Sequence, residues 1–282
     1  LDKLANAVNR VKHVALLDLS SDISHNRSVL TLLGRPESVI QALTNLYEIT
    51  TCQIDLRTHR GVHPRIGAID VVPFIPIHNA SMDDCKRLSR QLAADVAARF
   101  GIPAFLYGEA AKQPERRALE NIRGGQFEGL TQKMKDDRWA PDFGPPQPHP
   151  TAGASAIGAR EPLIAFNVNL KTNDLTVARQ IAATIRARNG GLLHVKALGF
   201  ELPHRGLVQV SVNLTNYRIT PLHRVFMTVE MEARKLQVAI ADSEIVGLVP
   251  QEAISDTTLQ RLRLRDFSSS KILETQQALK SR

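Results

Sequence analysis

Apolar positions along the chain recur with two periods, one helical and one alternating, and stretches of each kind follow one another from end to end. Leu4, Val8 and Val11 share a helical face, and residues 13–19 and 28–33 read as strands on either side of a polar turn, 20–27. Residues 37–49 predict a helix, and the apolar run 68–77 predicts a buried strand. Ser81 opens a long amphipathic helix, with Asp83 and Asp84 in its first turn, Leu88, Leu92, Val96 and Phe100 on one face, and Gly101-Ile102-Pro103 as its stop. A strand at 104–107 follows. The second series predicts a strand at 163–170, a helix at 175–188, strands at 194–200 and 207–214, a helix at 222–236 and a strand at 245–249. The sum is an α/β chain of the α+β sandwich type, in two βαββαβ-like subdomains, 1–160 and 161–282, each a mixed sheet with helices packed on it. No sequence repeat relates the halves.

Between the two series, residues 139–150 carry five prolines, which fix an extended, irregular path and predict a loop of defined shape. With 282 residues and 43% apolar content, the chain has enough for real cores and is not a disordered chain. Its 36 Lys and Arg outnumber 28 Asp and Glu, a net charge of +8 that favours an anionic partner: nucleic acid, phosphate or a polycarboxylate. No aromatic-and-basic recognition motif accompanies that charge, so nucleic acid is not expected. Cys52 and Cys85 are too few for a disulfide framework and read as small apolar fillers in a reducing compartment. The opening residues lack a signal-peptide pattern and no run of eighteen apolar residues occurs, so a cytoplasmic protein with no membrane partner is expected.

Chemistry concentrates in residues 57–76, where His59, His63, Arg57, Arg60 and Arg65 fill a polar turn that runs straight into the apolar segment. Such a junction suits anion recognition or acid/base work by an imidazole at neutral pH, and Pro64 restricts His63 to an extended backbone. His59 and His63 stand four apart, as helical metal ligands do. Gly61 and Pro64 oppose a helix, however, and Arg60 occupies the position where a zinc protease needs its acid, so no metal is expected. Tyr107 and Glu109 stand at a strand's carboxyl end, where α/β folds place ligand contacts or a plain turn. Arg116, Arg117 and Arg123 either receive carboxylates or solvate a face. The small residues at 149–160 would let backbone approach a flat ligand closely. Asn167 and Asn169 lie on one face of a strand, and Gln209, Ser211 and Asn213 repeat that period on another; polar groups in apolar strands need partners, from a ligand or from a buried network.

Several strings carry a resemblance: residues 63–76 (HPRIGAIDVVPFIP), 106–111 (LYGEAA), 139–145 (WAPDFGP), 158–160 (GAR), 163–170 (LIAFNVNL), 209–214 (QVSVNL) and 243–250 (SEIVGLVP). In this order, over roughly residues 14–250, the chain resembles the glutamate formimidoyltransferase family, folate-dependent transferases of histidine breakdown. The resemblance implies a homodimer of two-subdomain chains with the folate in a cleft between the subdomains. It implies transfer of a formimidoyl group between 5-formimidoyltetrahydrofolate and L-glutamate, with tetrahydrofolate as substrate rather than resident cofactor. The family's catalytic histidine falls on His63, and Arg65 would shape its site or hold a carboxylate. The folate loop falls on Gly144, Pro145, Pro146, Gln147, Pro148, His149, Pro150, Thr151, Ala152 and Gly153. Tyr107, Glu109, Asn167, Asn169, Gln209 and Asn213 would meet the pterin or the amino acid. Three features depart from the family. Val62 stands where an acid commonly precedes the histidine, a supporting aspartate falls at Ser20 with Asp18 or Asp22 as substitutes, and Pro146 to His149 replace a segment richer in serine and aromatics. These departures motivate an alternative, a folate-binding or regulatory homologue with altered transfer. The family's opening strand is expected to lie before Leu1, and the cyclodeaminase fused to some relatives is not expected in a chain ending at Arg282.

Overall fold

The computed structural model describes residues 1–22, 26–61, 63–77, 79–254 and 256–280. They fall into two compact units, 1–160 and 161–282. Both combine helices with sheet: a parallel sheet and an antiparallel hairpin in the first, an antiparallel sheet in the second.

In the first unit α1 (Asp2–Asn9) leads into β1 (Val14–Asp22) and β2 (Arg27–Gly34), an antiparallel hairpin in which Asp22 lies opposite Arg27. After α2 (Pro36–Gln53) come β3 (Val71–Phe74), α3 (Met82–Phe100), β4 (Ala104–Gly108), the short α4 (Leu119–Arg123) and α5 (Gln126–Lys133), and β5 (Ser155–Ala159). Ser81 caps α3 through a reciprocal capping box with Asp84, and Gly101 ends it at φ 65°, as the pattern predicts. One core packs α2 and α3 against one face of the sheet through Tyr47, Leu92, Val96, Leu106 and Ile157. A second core fills the opposite face with Phe105, Tyr107, Ile122 and Leu130.

Two expectations are corrected here. The strand at 68–77 shrinks to Val71–Phe74: beyond it Pro76 has no N–H to donate, and before it Ala68 bonds instead to the carbonyl of Ala152 (3.0 Å). The small residues at 155–159 are not a ligand-approach loop. They form β5, fully buried at the centre of a parallel β3-β5-β4 sheet.

The second unit runs β6 (Ile164–Leu170), α6 (Leu175–Ile185), β7 (Val195–Leu202), β8 (Leu207–Leu214), α7 (Leu222–Lys235), β9 (Ile240–Val246), α8 (Asp256–Arg261) and α9 (Leu273–Lys280). Its antiparallel sheet has the order β7-β8-β6-β9. The alternation in β6 and β8 sends Phe166, Val168, Val210 and Val212 into a core with Ile181, Val225 and Val229 of the two long helices. The other face of the sheet receives Asn167, Asn169 and Gln209. Among the described residues no helix is long and apolar enough to cross a membrane.

Candidate functional site

The turn after α2 is built by its own polar groups. Asp55 holds Arg57 through a bidentate pair, and the Leu56 N–H bonds the Thr151 carbonyl at 2.9 Å, tying the turn to the loop before β5. Asn26, in the left-handed region at φ 48°, crosses from the β1–β2 hairpin to donate to the Arg60 carbonyl (2.6 Å). His59 has a defined tautomer. Its Nδ1 accepts from Arg65 Nε (3.3 Å), so its proton sits on Nε2, which donates to the Asn26 carbonyl (2.9 Å). His59 is therefore a structural tie.

His63 is held differently. Arg27 Nη1 lies 2.5 Å from its Nε2, and because a guanidinium only donates, Nε2 is the acceptor of a neutral imidazole carrying its proton on Nδ1. Asp70 stands in the same turn, accepting the Ile66 N–H at 2.8 Å with one oxygen and Arg123 with the other. Desolvation lowers the Arg27 pKa, the positive charge of Arg123 lowers it further, and Asp22 and Asp70 oppose the shift. Burial raises the Tyr107 pKa, against the opposing pull of Arg160 and Arg123. One neutral imidazole thus stands among several guanidinium groups. Ser20, at the position of the family's supporting aspartate, and Asp18 lie on β1 opposite Val29 and Thr31, whereas Asp22 faces Arg27. Val62 lies outside the described residues.

Arg65 is committed elsewhere. Its terminal nitrogens grip both oxygens of Glu128 at 2.9 and 2.7 Å while also reaching the His59 carbonyl, and its side chain is 11% exposed. The pair holds the Glu128 carboxyl down to about 2. Arg65 fastens α5 to the His63 turn, a bond reinforced by Phe127 N–H to the Arg65 carbonyl (2.9 Å).

The proline-rich loop is pinned at both ends. Asp142 accepts from Arg116 (2.8 Å) and from the Leu106 N–H (2.8 Å), and Arg116 also donates to the carbonyls of Arg138 and Ala140. Beside it Lys133 Nζ lies 3.9 Å over the Trp139 ring and donates to the Ile122 and Gly124 carbonyls, and desolvation lowers its pKa to about 8. Gly144, at φ 92°, lies against Ala97 and Pro103. His149 Nδ1 accepts the Ala152 N–H (3.0 Å), which fixes its proton on Nε2, and His149 and Gly153 exchange two backbone bonds. Ala152 and Gly153 are core residues whose backbones bond Ala68 and cross Gly67; Pro146, Gln147 and Pro150 are exposed, with Pro145, Pro148 and Thr151 half-buried. Exposed Glu109 faces Arg117 at 3.5 Å. Of the three arginines after β4, then, Arg116 is a buried anchor, Arg117 a surface residue, and Arg123 a member of the His63 cluster.

In the second unit the polar face of the sheet is a connected ladder. Asn167 and Gln209 both donate to Glu244 Oε1 (2.9 and 3.1 Å), Asn169 donates to Asp242 (2.6 Å), and Gln209 donates to Asn169 (3.0 Å). Arg205 and Arg265 close its ends on Asp242 (2.6 Å) and Glu244 (2.9 Å). Burial pushes the Asp242 pKa up, but Arg205 and Asn169 outweigh it, and the net shift is downward. Gln209 Oε1 is buried with no hydrogen-bond partner. Asn213 is exposed and outside the ladder. Sequence reading missed Asp242 and Glu244, although their alternation in β9 is the same signal that exposed the asparagines. Arg27, Arg205 and Arg265 carry no such signal, because each sits in or beside a turn. Among the described residues no three His, Cys, Asp or Glu gather as a metal site would need.

An α/β protein with a histidine of fixed tautomer among guanidinium groups is the general class that this fold and site define. The pattern of the formiminotransferase domain, N-terminal subdomain, matches residues 1–160, and that of the formiminotransferase domain matches 165–277. A glutamate formimidoyltransferase of Streptococcus pyogenes serotype M1 is 44% identical over 97% of this chain and 92% of its own length. One from Thermoplasma acidophilum is 43% identical over 97% and 91%. The formimidoyltransferase-cyclodeaminase of Dictyostelium discoideum is 40% identical over 90% of this chain and 48% of that protein. The chain belongs to the formiminotransferase family.

Proposed function

We propose that this protein is a glutamate formimidoyltransferase that moves a formimidoyl group between 5-formimidoyltetrahydrofolate and L-glutamate. The neutral His63, presenting Nε2 as an acceptor among guanidinium groups, is the observation that carries this reading. The names of the similar proteins above support it. In the transfer, the glutamate amine attacks the formimidoyl carbon, whose π electrons move to the imino nitrogen. The amine's proton passes to His63 Nε2. As the tetrahedral adduct collapses, the bond from carbon to N5 of the folate breaks and His63 returns the proton to that nitrogen, giving N-formimidoyl-L-glutamate and tetrahydrofolate. The reverse direction uses the same steps. One imidazole serves as base and then acid, and the acceptor role of a neutral Nε2 is what the first of those steps requires.

In this reading Arg65 shapes the site through Glu128 and His59, since both of its terminal nitrogens are engaged. The folate meets the loop from Gly144 to Gly153 at its exposed portion, with Tyr107 and Glu109 nearby in the same unit. Asn167, Asn169, Gln209 and Asn213 take the pterin or the amino acid, and the orphaned Gln209 Oε1 awaits an N–H donor. The chain carries two subdomains, 1–160 and 161–282, and works as a homodimer in the cytoplasm, in histidine degradation and one-carbon metabolism. Cys52 and Cys85 are not joined in a disulfide, which suits that compartment.

The test is single-turnover transfer with wild type and His63→Ala. The substitution should slow transfer by about 10²- to 10⁴-fold, the range for a lost acid/base group, while tetrahydrofolate still perturbs Trp139 fluorescence. Undiminished transfer by His63→Ala would refute the mechanism. Folate binding by wild type without transfer would instead establish a binding or regulatory homologue.

A further inference from the structure

The arginines around His63 differ in what they hold. Arg65 closes on both oxygens of Glu128, and Arg123 ends on Asp70. Arg27 spends a terminal N–H on the uncharged Nε2 of His63. A guanidinium is built to grip a carboxylate with two parallel N–H bonds, and those charge-assisted bonds are stronger than one to a neutral imidazole. The nitrogen that Arg27 covers is the one on which proton transfer depends. So long as Arg27 donates to it, Nε2 has no lone pair for an incoming amine.

We infer that Arg27 recognises the α-carboxylate of the amino-acid substrate, and that this exchange of partners uncovers Nε2 of His63. The inference rests on the reading of the protein as a glutamate formimidoyltransferase. It selects the α-carboxylate because that group shares a carbon with the reacting amine. An amine poised to lose its proton to Nε2 carries its α-carboxylate to the place where Arg27 already is, whereas the γ-carboxylate lies further along a flexible chain. Arg65, the sequence-based candidate for this task, is occupied; Arg27 is adjacent and exchangeable. Asp22, opposite Arg27 in the hairpin, and Asp70 lend it opposing charge, while Arg123 adds positive charge that also favours an arriving anion. Binding of the correct acceptor and exposure of the base are then one event, and an amine without the carboxylate meets a capped histidine.

The experiment compares wild type, Arg27→Lys and Arg27→Ala with L-glutamate, its γ-amide L-glutamine and its α-amide L-isoglutamine as acceptors. Wild type should accept L-glutamine far better than L-isoglutamine. Arg27→Ala should raise the KM for glutamate by about 10- to 100-fold, the loss expected for a charge-assisted bond, leave the KM for the folate substrate unchanged, and erase the preference between the two amides. Arg27→Lys should restore part of both effects. Equal use of L-isoglutamine and L-glutamate by wild type would overturn the inference, even if the variants fail to fold. So would a glutamate KM in Arg27→Ala within about twofold of wild type. A second readout needs no turnover: titrating L-glutamate into wild type labelled with ¹⁵N-histidine should move the His63 Nε2 resonance, and the same titration of Arg27→Ala should not. An unmoved wild-type resonance overturns the inference. A moving resonance in a protein that transfers nothing leaves the carboxylate site standing and refutes only the proposed reaction.

Discussion

Arg116 Nη1 and Asp142 Oδ2 meet at 2.8 Å with their side chains 2% and 4% exposed, making this the anchor between the strand β4 and the proline-rich loop. Asp142 also accepts the Leu106 N–H, and Arg116 spans the carbonyls of Arg138 and Ala140 and lies over the Phe105 ring. Removing one partner of such a pair strands a charge in the core, at a cost of about 3–5 kcal/mol. Asp142→Ala should therefore lower the unfolding free energy by about that much in urea titrations. A loss below about 1 kcal/mol would mean that Arg116 finds solvent instead, and the anchoring role would be wrong.

The pair of Arg65 and Glu128 gives a prediction in pH. Arg65 holds the Glu128 carboxyl at about 2 in the folded protein, below its ordinary 4.5. Between those values the unfolded chain binds the extra proton, so stability rises with pH there. Glu128's contribution is present above about pH 4.5 and disappears as pH falls towards about 2. The carboxylate is largely exposed, which keeps the effect small. Glu128→Gln should flatten the pH dependence of unfolding in this window relative to wild type and leave neutral-pH folding cooperative. Parallel slopes for the two proteins would show that the pair adds nothing to stability.

Much of this was legible in the sequence, and the losses have physical causes. The helix start at Ser81 and the period-two pattern of β6 and β8 are local signals, and the structure has both at the residues the sequence indicates. The strand β5 was illegible because its residues, Ser155 to Ala159, are small. At Gly158 the close neighbour is Tyr107, whose carbonyl oxygen would lie 2.3 Å from an added Cβ. Asn167, Asn169 and Gln209 were singled out for their polarity, and the structure gives them acidic partners from β9 that no reading of β6 or β8 alone could supply. Arg65 illustrates the opposite limit. Its place beside His63 was visible, but its commitment to Glu128, far along the chain, depends on tertiary packing.

Glu244 is the hub of that ladder, taking Asn167 and Gln209 on one oxygen and Arg265 on the other. In Glu244→Gln an N–H₂ replaces one oxygen, so either the two amides or the Arg265 guanidinium faces a donor. Facing the amides it leaves buried donors unpaired, and facing Arg265 it loses a charge-assisted bond; either costs about 1–3 kcal/mol. Urea unfolding should register that loss, and tetrahydrofolate affinity should fall with it if the ladder lines the substrate site. Unchanged stability would mean that the ladder relaxes without cost. Lost stability with unchanged folate affinity would confine Glu244 to the fold.

Gly158 and Gly129 should respond to alanine with opposite signs. Gly158 lies on β5 directly opposite Tyr107 of β4, and a Cβ placed on it would fall 2.3 Å from the Tyr107 carbonyl oxygen and 2.5 Å from its ring. Backbone in a central strand cannot withdraw without breaking the ladder, so Gly158→Ala should cost about 1–3 kcal/mol or more, the range for overpacking a filled core. Gly129 lies within α5, and a Cβ there meets nothing within 4 Å. Gly129→Ala should stabilise the protein by about 0.5–1 kcal/mol, because alanine loses less backbone freedom on entering a helix. Urea midpoints of the two variants should fall on opposite sides of wild type. If Gly158→Ala is neutral, the close approach of β4 and β5 is not what keeps that strand small, and a ligand requirement for its small residues becomes the better account.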